Sequence, residues 1–153
     1  MEVREFQKAD ITQIAQLFHD TVHHVNSNDY SREQINAWAP DDIYFRNWTK
    51  ECSRKNTFVA EKQHIITGFA ELDDNGYIDC FYCHMDYQGR GVGKLLYQAI
   101  EEKAIELNLE KIYVDASITA KPFFKRMGFS PLRTQEVEIR GQRFVNHKML
   151  KQL

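Results

Sequence analysis

The chain has 153 residues, a length that fits one domain and buries roughly 68–70% of the unfolded surface without staples. Twenty Lys and Arg against 22 Asp and Glu give a net charge of −2, so no global basic field exists to hold nucleic acid or an anionic membrane. Hydrophobic residues at 42% and charged residues at 27% are ordinary for a folded globular protein, which excludes disorder, collagen and coiled coil.

Residues 2–7 read as a short strand. Asp10 and Gln13 resemble a capping box ahead of a helix whose apolar residues Ile11, Ile14, Ala15, Phe18, Val22 and Val25 recur at helical spacing. A second helix start, Ser31 to Gln34, precedes Ile35 and Trp38 and ends at Pro40. A third amphipathic stretch carries Ile43, Phe45, Trp48 and Cys52. Residues 57–61 and 65–72 are expected as strands joined by a turn near Gln63-His64. Asn75-Gly76 is a hairpin signal, and Tyr77 to Met85 is the next strand. After a glycine turn comes a long helix with Val92, Leu95, Leu96, Ala99, Ile100, Ala104 and Leu107 on one face. A strand over 112–116, a helix over 120–127 stopped by Gly128, and a hairpin of 129–139 with 143–150 across Gly141 complete the chain. The expected fold is α/β: a single domain, 1–153, with a mixed, mostly antiparallel sheet flanked by helices.

The strongest chemical signal is Gln88-Gly89-Arg90-Gly91-Val92-Gly93-Lys94, between a strand and a helix. Glycines admit unusual backbone angles and close approach of a ligand to the main chain. The helix start behind them offers free N–H groups and a positive dipole end, which suit a pyrophosphate. A P-loop is excluded because position 88 is Gln and position 95 is Leu. A dinucleotide fingerprint is excluded because positions 94 and 96 are Lys and Leu.

The spacing Gln-x-x-Gly-x-Gly resembles the acyl-CoA pyrophosphate loop of the GNAT superfamily of N-acyltransferases. Downstream, Ser117 to Phe129, with its short helix finishing in Gly128-Phe129, is similar to that family's second motif at the family's separation. The resemblance covers the whole order of elements and suggests a small bacterial-type member. It implies acetyl-CoA as acyl donor, held by the backbone of Gly89, Arg90, Gly91, Val92, Gly93 and Lys94, with Gln88 opening the loop. The Phe81 and Cys83 backbone would lie beside the pantetheine and thioester. Ser117 and Phe124 match further cofactor-contact positions, and Arg90 and Lys94 add charge or simply face solvent.

The resemblance further implies direct attack of an amine on the thioester in a ternary complex, with no acyl-enzyme, to give an N-acetylated product. Orientation of two substrates supplies most of the rate. Family bases sit on the strand before the glycine loop, which points to Asp79, expected on the face of Phe81 and Cys83, and secondly to Glu71. A tyrosine that often protonates the leaving thiolate is replaced here by Phe124. That departure keeps open a CoA-binding regulator or pseudoenzyme. The acceptor is expected to be a small-molecule amine. Acids outnumber bases seven to three between residues 10 and 51, which favours a cationic one. His23-His24 reads as a solvated pair. Trp38, Tyr44 and Trp48 are core residues or an acceptor wall.

Cys80-Phe81-Tyr82-Cys83-His84 also fits the c-type haem attachment pattern, but mid-strand the two sulfurs face opposite sides of the sheet. A zinc site lacks a second cysteine pair, and no metal is expected. The three cysteines are an odd number and form no secreted disulfide framework. The opening residues Met1 to Phe6 have no apolar h-region, and no apolar run is long enough to span a bilayer. The expectation is a cytoplasmic protein, monomeric or homodimeric, with neither nucleic acid nor membrane as partner.

Overall fold

A computed structural model describes residues 1–153. In chain order the elements are β1 (Glu2–Glu5), α1 (Ile11–His24), α2 (Arg32–Trp38), α3 (Trp48–Arg54), β2 (Asn56–Lys62), β3 (Ile65–Leu72), β4 (Tyr77–Cys83), α4 (Val92–Glu106), β5 (Lys111–Ser117), α5 (Lys121–Arg126), β6 (Ser130–Ile139) and β7 (Gln142–Gln152). The strands form one sheet in the order β1-β2-β3-β4-β5-β7-β6. All neighbours are antiparallel except β4 and β5. The expected α/β domain with a mixed, mostly antiparallel sheet is therefore what the chain forms.

Each face of the sheet carries its own core. On one side α4 lays Val92, Leu96, Ile100 and Ala104 against Leu72, Ile78, Ile112, Val114 and Met149. On the other, α1, α2 and α3 bring Ile14, Phe18, Val22, Ile35, Trp48 and Cys52 onto Val59, Ile66, Phe69 and Cys80. These are the residues that helical and strand periodicity single out, because burying one stripe of each element is what fixes its orientation.

Local chemistry explains most boundaries and corrects one. Ser31 caps α2 as expected: its Oγ accepts from Gln34 N at 3.2 Å, and Gln34 Oε1 accepts from Ser31 N at 2.8 Å. Asp10 does not cap α1. Its carboxylate instead accepts from Arg4 Nη1 and Nη2 at 2.8 and 2.9 Å and from Gln7 N at 2.8 Å. Gln13 accepts from Ile66 N on β3 at 2.9 Å rather than reaching back. A nearby guanidinium is a stronger partner for a carboxylate than a backbone N–H.

The feature that creates the site is the β4–β5 junction. The two parallel strands pair only at Tyr77 with Tyr113 and Ile78 with Val114, then diverge. Just past the last pair, β4 carries a bulge. Leu72 stands opposite Ile78 but Ala70 opposite Phe81, so two steps on β3 match three on β4. Asp79 and Cys80 both fall opposite Glu71. The extra residue reverses the alternation beyond it.

Candidate active site

The divergence opens a cleft of about 810 Å³ that runs through the sheet from the α4 side to the α1–α2 side. Its walls are β4 from Asp79 to Cys83, β5 from Val114 to Ser117, the glycine loop, α5 and the β6–β7 hairpin. His84 N donates to Thr67 O at 2.8 Å, and Tyr82 stands opposite Phe69. Alternation in an antiparallel ladder then turns the backbone groups of Phe81 and Cys83 away from β3, into the gap where β5 no longer pairs. Cys83 O is already occupied, accepting from Thr21 Oγ1 at 2.8 Å and from Gln88 Nε2 at 2.9 Å. What faces the gap unused is the Cys83 N–H and the Phe81 peptide.

The loop of Gln88 to Lys94 lies at the α4 end of this gap. Gly89 and Gly91 have φ of 71° and 82°, and a Cβ at either would meet nothing within 4 Å, so both backbones border open space. Backbone shape demands glycine there, and the same absence of side chains exposes the amides. Gly91 is the N-cap of α4, and the first helical N–H to find a carbonyl is that of Leu95, to Gly91 O at 3.2 Å. The N–H groups of Gly89 to Lys94 thus converge unbonded at the positive end of a 15-residue helix. Gly93 has a different reason: a Cβ would lie 2.9 Å from Cε1 of Phe123, whose ring packs on the helix start.

The other cofactor candidates divide by role. Gln88 is a clamp that ties the loop to the end of β4. Val92 is core, and only its N–H faces the loop. Arg90 leans over the Tyr87 ring at 5.4 Å and does not line the cleft, whereas Lys94 does. Ser117 Oγ accepts from Ala120 N at 3.0 Å, the approach cap of α5, and retains a proton to donate. Phe124 is buried between Phe81, Phe123 and Phe129 at ring distances of 5.2–5.4 Å.

The carboxylates required a correction. Asp79 does not share the face of Phe81 and Cys83, because the bulge turns it to the α3 side. There Asp79 Oδ2 accepts from Lys55 Nζ and from Arg46 Nη2, the latter at 3.4 Å. Glu71 lies in the same cluster with a wholly buried side chain. Its two oxygens accept from Arg46 Nη1 and Nη2 at 2.9 Å each, and Lys55 Nζ stands at 3.5 Å. Asp79 is the member with access, its side chain 33% exposed and bordering the cleft. Lys55 and Arg46 were not singled out in the sequence, and no local signal marks a partner 16 or 25 residues from Glu71.

On the α1–α2 side the cleft is walled by Phe18, Tyr30, Trp38, Tyr82 and Phe144. Tyr30 straps the wall shut: its OH accepts from Ile118 N at 2.9 Å and donates to Val145 O at 3.1 Å. Trp38 is thus a cleft residue, Trp48 is core, and Tyr44 is exposed with its OH 3.2 Å from Thr12 Oγ1. His23 is half-buried, stacked on His19 at 4.1 Å, and stands outside the cleft lining. The thiols are unreactive by environment. Burial pushes Cys83 up to about 12, and burial with the Glu71 charge does the same for Cys52. Burial also holds the Tyr82 phenol far above its ordinary range. Cys80 packs on the α1 side and Cys83 on the α4 side, as alternation requires.

The chain has counterparts among known proteins. Residues 26–151 match the model of the GNAT acetyltransferase domain. The chain belongs to the GNAT acetyltransferase family. It is 35% identical over 149 residues to the N-acetyltransferase YafP of Escherichia coli K12, itself described as uncharacterized, covering 97% of this chain and 94% of that one. A GCN5-related N-acetyltransferase from Rhodopseudomonas palustris superposes with a TM-score of 0.93 at 33% identity, over 99% of this chain and 95% of its own. The PaiA N-acetyltransferase of Thermoplasma acidophilum, solved with coenzyme A, shares the fold at 16% identity and a TM-score of 0.80, over 99% and 98% of the two chains. The protein is thus an acyltransferase that depends on acetyl-CoA. No helix is long and apolar enough to cross a membrane.

Proposed function

We propose that this GNAT acetyltransferase moves the acetyl group of acetyl-CoA onto the nitrogen of a small primary amine, within a complex of both substrates. The observation that carries the reading is the through-sheet cleft, with unbonded amides at one end and an aromatic-walled chamber at the other. The donor fits the residues present. The N–H groups of Gly89 to Lys94 would hold the pyrophosphate, Phe81 and Cys83 would pair the pantetheine amides as a missing strand, and Lys94 would add charge. Neighbours of the same fold were solved with coenzyme A or acetyl-CoA. Acetyl-CoA supplies the activated acyl group as a thioester.

The chain's own groups supply the rest. The Phe81 peptide, next to the bulge, and the Cys83 N–H beyond it both face the gap, placed to hydrogen-bond a developing oxyanion and the pantetheine. The protonated thiols offer no nucleophile, which supports direct transfer over an acyl-enzyme. Of the two candidate bases, Asp79 borders the cleft, whereas Glu71 is sealed behind Arg46. We assign proton acceptance to Asp79 acting through water. Asp79 is held by Lys55 and Arg46 on one side and borders the cleft on the other, so a proton received there passes on to solvent. Phe124 donates nothing, and the departing thiolate takes its proton from water. An acceptor screen that follows free thiol release tests the reading: turnover on small amines is expected, and turnover confined to peptides or proteins contradicts it.

A further inference from the structure

Asp115 is the first β5 residue beyond the last β4–β5 pair, as Asp79 is on β4. Val114 and Ala116 pack toward α4, so alternation turns Asp115 and Ser117 to the α1–α2 side, and both line the cleft. Asp115 is a carboxylate without a cation. Its oxygens accept from two neutral donors, Gln135 Nε2 at 2.9 Å and Tyr77 OH at 3.2 Å, and no Lys, Arg or His nitrogen lies within 4.0 Å. Lys148 is its cross-strand neighbour, yet the Lys148 ammonium lies over the Tyr113 ring at 5.5 Å, outside the cleft. An ionised carboxylate accepts at about four lone-pair positions, so roughly half of its capacity is unused.

A second unsatisfied group stands beside it. Asn146 on β7 is directly opposite Ser117 and lines the same chamber. Its Oδ1 is buried with no hydrogen-bond partner. Buried polar atoms are nearly always paired, so this Oδ1 has room for a partner that the chain itself does not supply, a water or a ligand atom. Around these acceptors stand the aromatic walls Tyr30, Trp38 and Phe144, mutually packed at 5.3–5.9 Å. Arg46 and Arg140 also line the cleft, but Arg46 is engaged by Glu71 and Asp79 and Arg140 by the carbonyls of Ala37 and Trp38. The chamber thus offers the Asp115 carboxylate, an orphan acceptor and π faces, a set that suits an ammonium on an apolar or aromatic body.

We infer that Asp115, assisted by Asn146, is the specificity-determining contact that holds the ammonium group of an arylalkyl- or alkylamine acceptor. This rests on the acetyltransferase reading and adds the class of acceptor to it.

Calorimetric titration of phenethylamine into the protein saturated with CoA tests it without requiring turnover. Saturable binding is expected. Asp115→Asn weakens it about ten- to a hundredfold, the range for a hydrogen-bonded charged group. Asp115→Glu recovers part of the loss, and Lys148→Met changes nothing. Phenylalanine, which adds a carboxylate to the same skeleton, binds more weakly than phenethylamine in the wild type, and Asp115→Asn narrows that gap. Unchanged affinity in Asp115→Asn, or no saturable phenethylamine binding to the CoA complex, overturns the assignment. Failure of the acetyltransferase reading itself shows separately, as absence of CoA binding when CoA alone is titrated into the protein. If Asp115→Asn does not fold, Asn146→Ala and the phenethylamine–phenylalanine comparison decide. Equal affinity for both amines, with no loss in Asn146→Ala, overturns the proposal.

Discussion

Arg46 and Glu71 meet in a two-pronged ion pair on the α3 side of the sheet, both contacts at 2.9 Å, with the Glu71 side chain wholly buried. Glu71→Gln leaves Arg46 and the 3%-exposed Lys55 without their inner counter-charge. Breaking a buried pair from one side costs about 3–5 kcal/mol. Urea unfolding is expected to show that loss in Glu71→Gln. A variant of full stability with lost turnover would instead make Glu71 a base.

Asp79 is the accessible carboxylate of the same cluster. Asp79→Asn is expected to lower kcat by about 10²-fold, a typical general-base contribution. Its KM for acetyl-CoA stays near the wild-type value, because the loop amides are far along the cleft. Steady-state kinetics with a saturating amine reads this, and full turnover in the variant would place the proton path elsewhere.

Gly93 and Phe123 are in steric register, with 2.9 Å between a built Cβ and the ring. Gly93→Ala is expected to destabilise the chain by about 1–3 kcal/mol, the usual range for overpacking. Phe123→Leu in the same chain should recover part of that loss. A thermal-unfolding cycle over the four variants measures the coupling, and additive effects would refute the contact.

Asp10 sets an acid limit. Burial alone would raise its pKa, but the Arg4 hydrogen bonds and the Gln7 N–H outweigh burial and hold it below its ordinary value. A carboxylate depressed in the folded state stabilises above the unfolded pKa of about 3.9 and loses that contribution as pH falls through the folded value. Asp10→Asn is therefore expected to be less stable than wild type at pH 7, with the difference shrinking below about pH 4. Urea midpoints at both pH values check it, and a constant gap would contradict the assignment.

The glycine loop was legible from the chain through its Gln-x-x-Gly-x-Gly spacing, paired with the Ser117 to Phe129 segment downstream, rather than through its glycines alone, and the structure exposes those amides. Helices α1, α2 and α4 and both terminal strands were legible through periodicity. What escaped was the bulge at Asp79-Cys80, since one extra residue reverses a period-2 reading and carries no residue-type mark. Long-range partners escaped for a similar reason. Arg4 claims Asp10 from a neighbouring strand, Arg46 reaches Glu71 from a loop, and Tyr30 bridges to Ile118 across 88 residues. Asp115 also passed unnoticed, because a single acid in a strand becomes distinctive only once its hydrogen-bond partners prove to be uncharged.

Calorimetric titration of acetyl-CoA into the wild type and into Gly91→Glu tests the central claim, that the loop amides and the split sheet hold the donor. One saturable site is expected in the wild type. In Gly91→Glu, with folding verified by circular dichroism, affinity is expected to collapse, because a carboxylate then stands where the pyrophosphate must lie. Equal affinity in the two proteins, or no acetyl-CoA binding in the wild type, would contradict it.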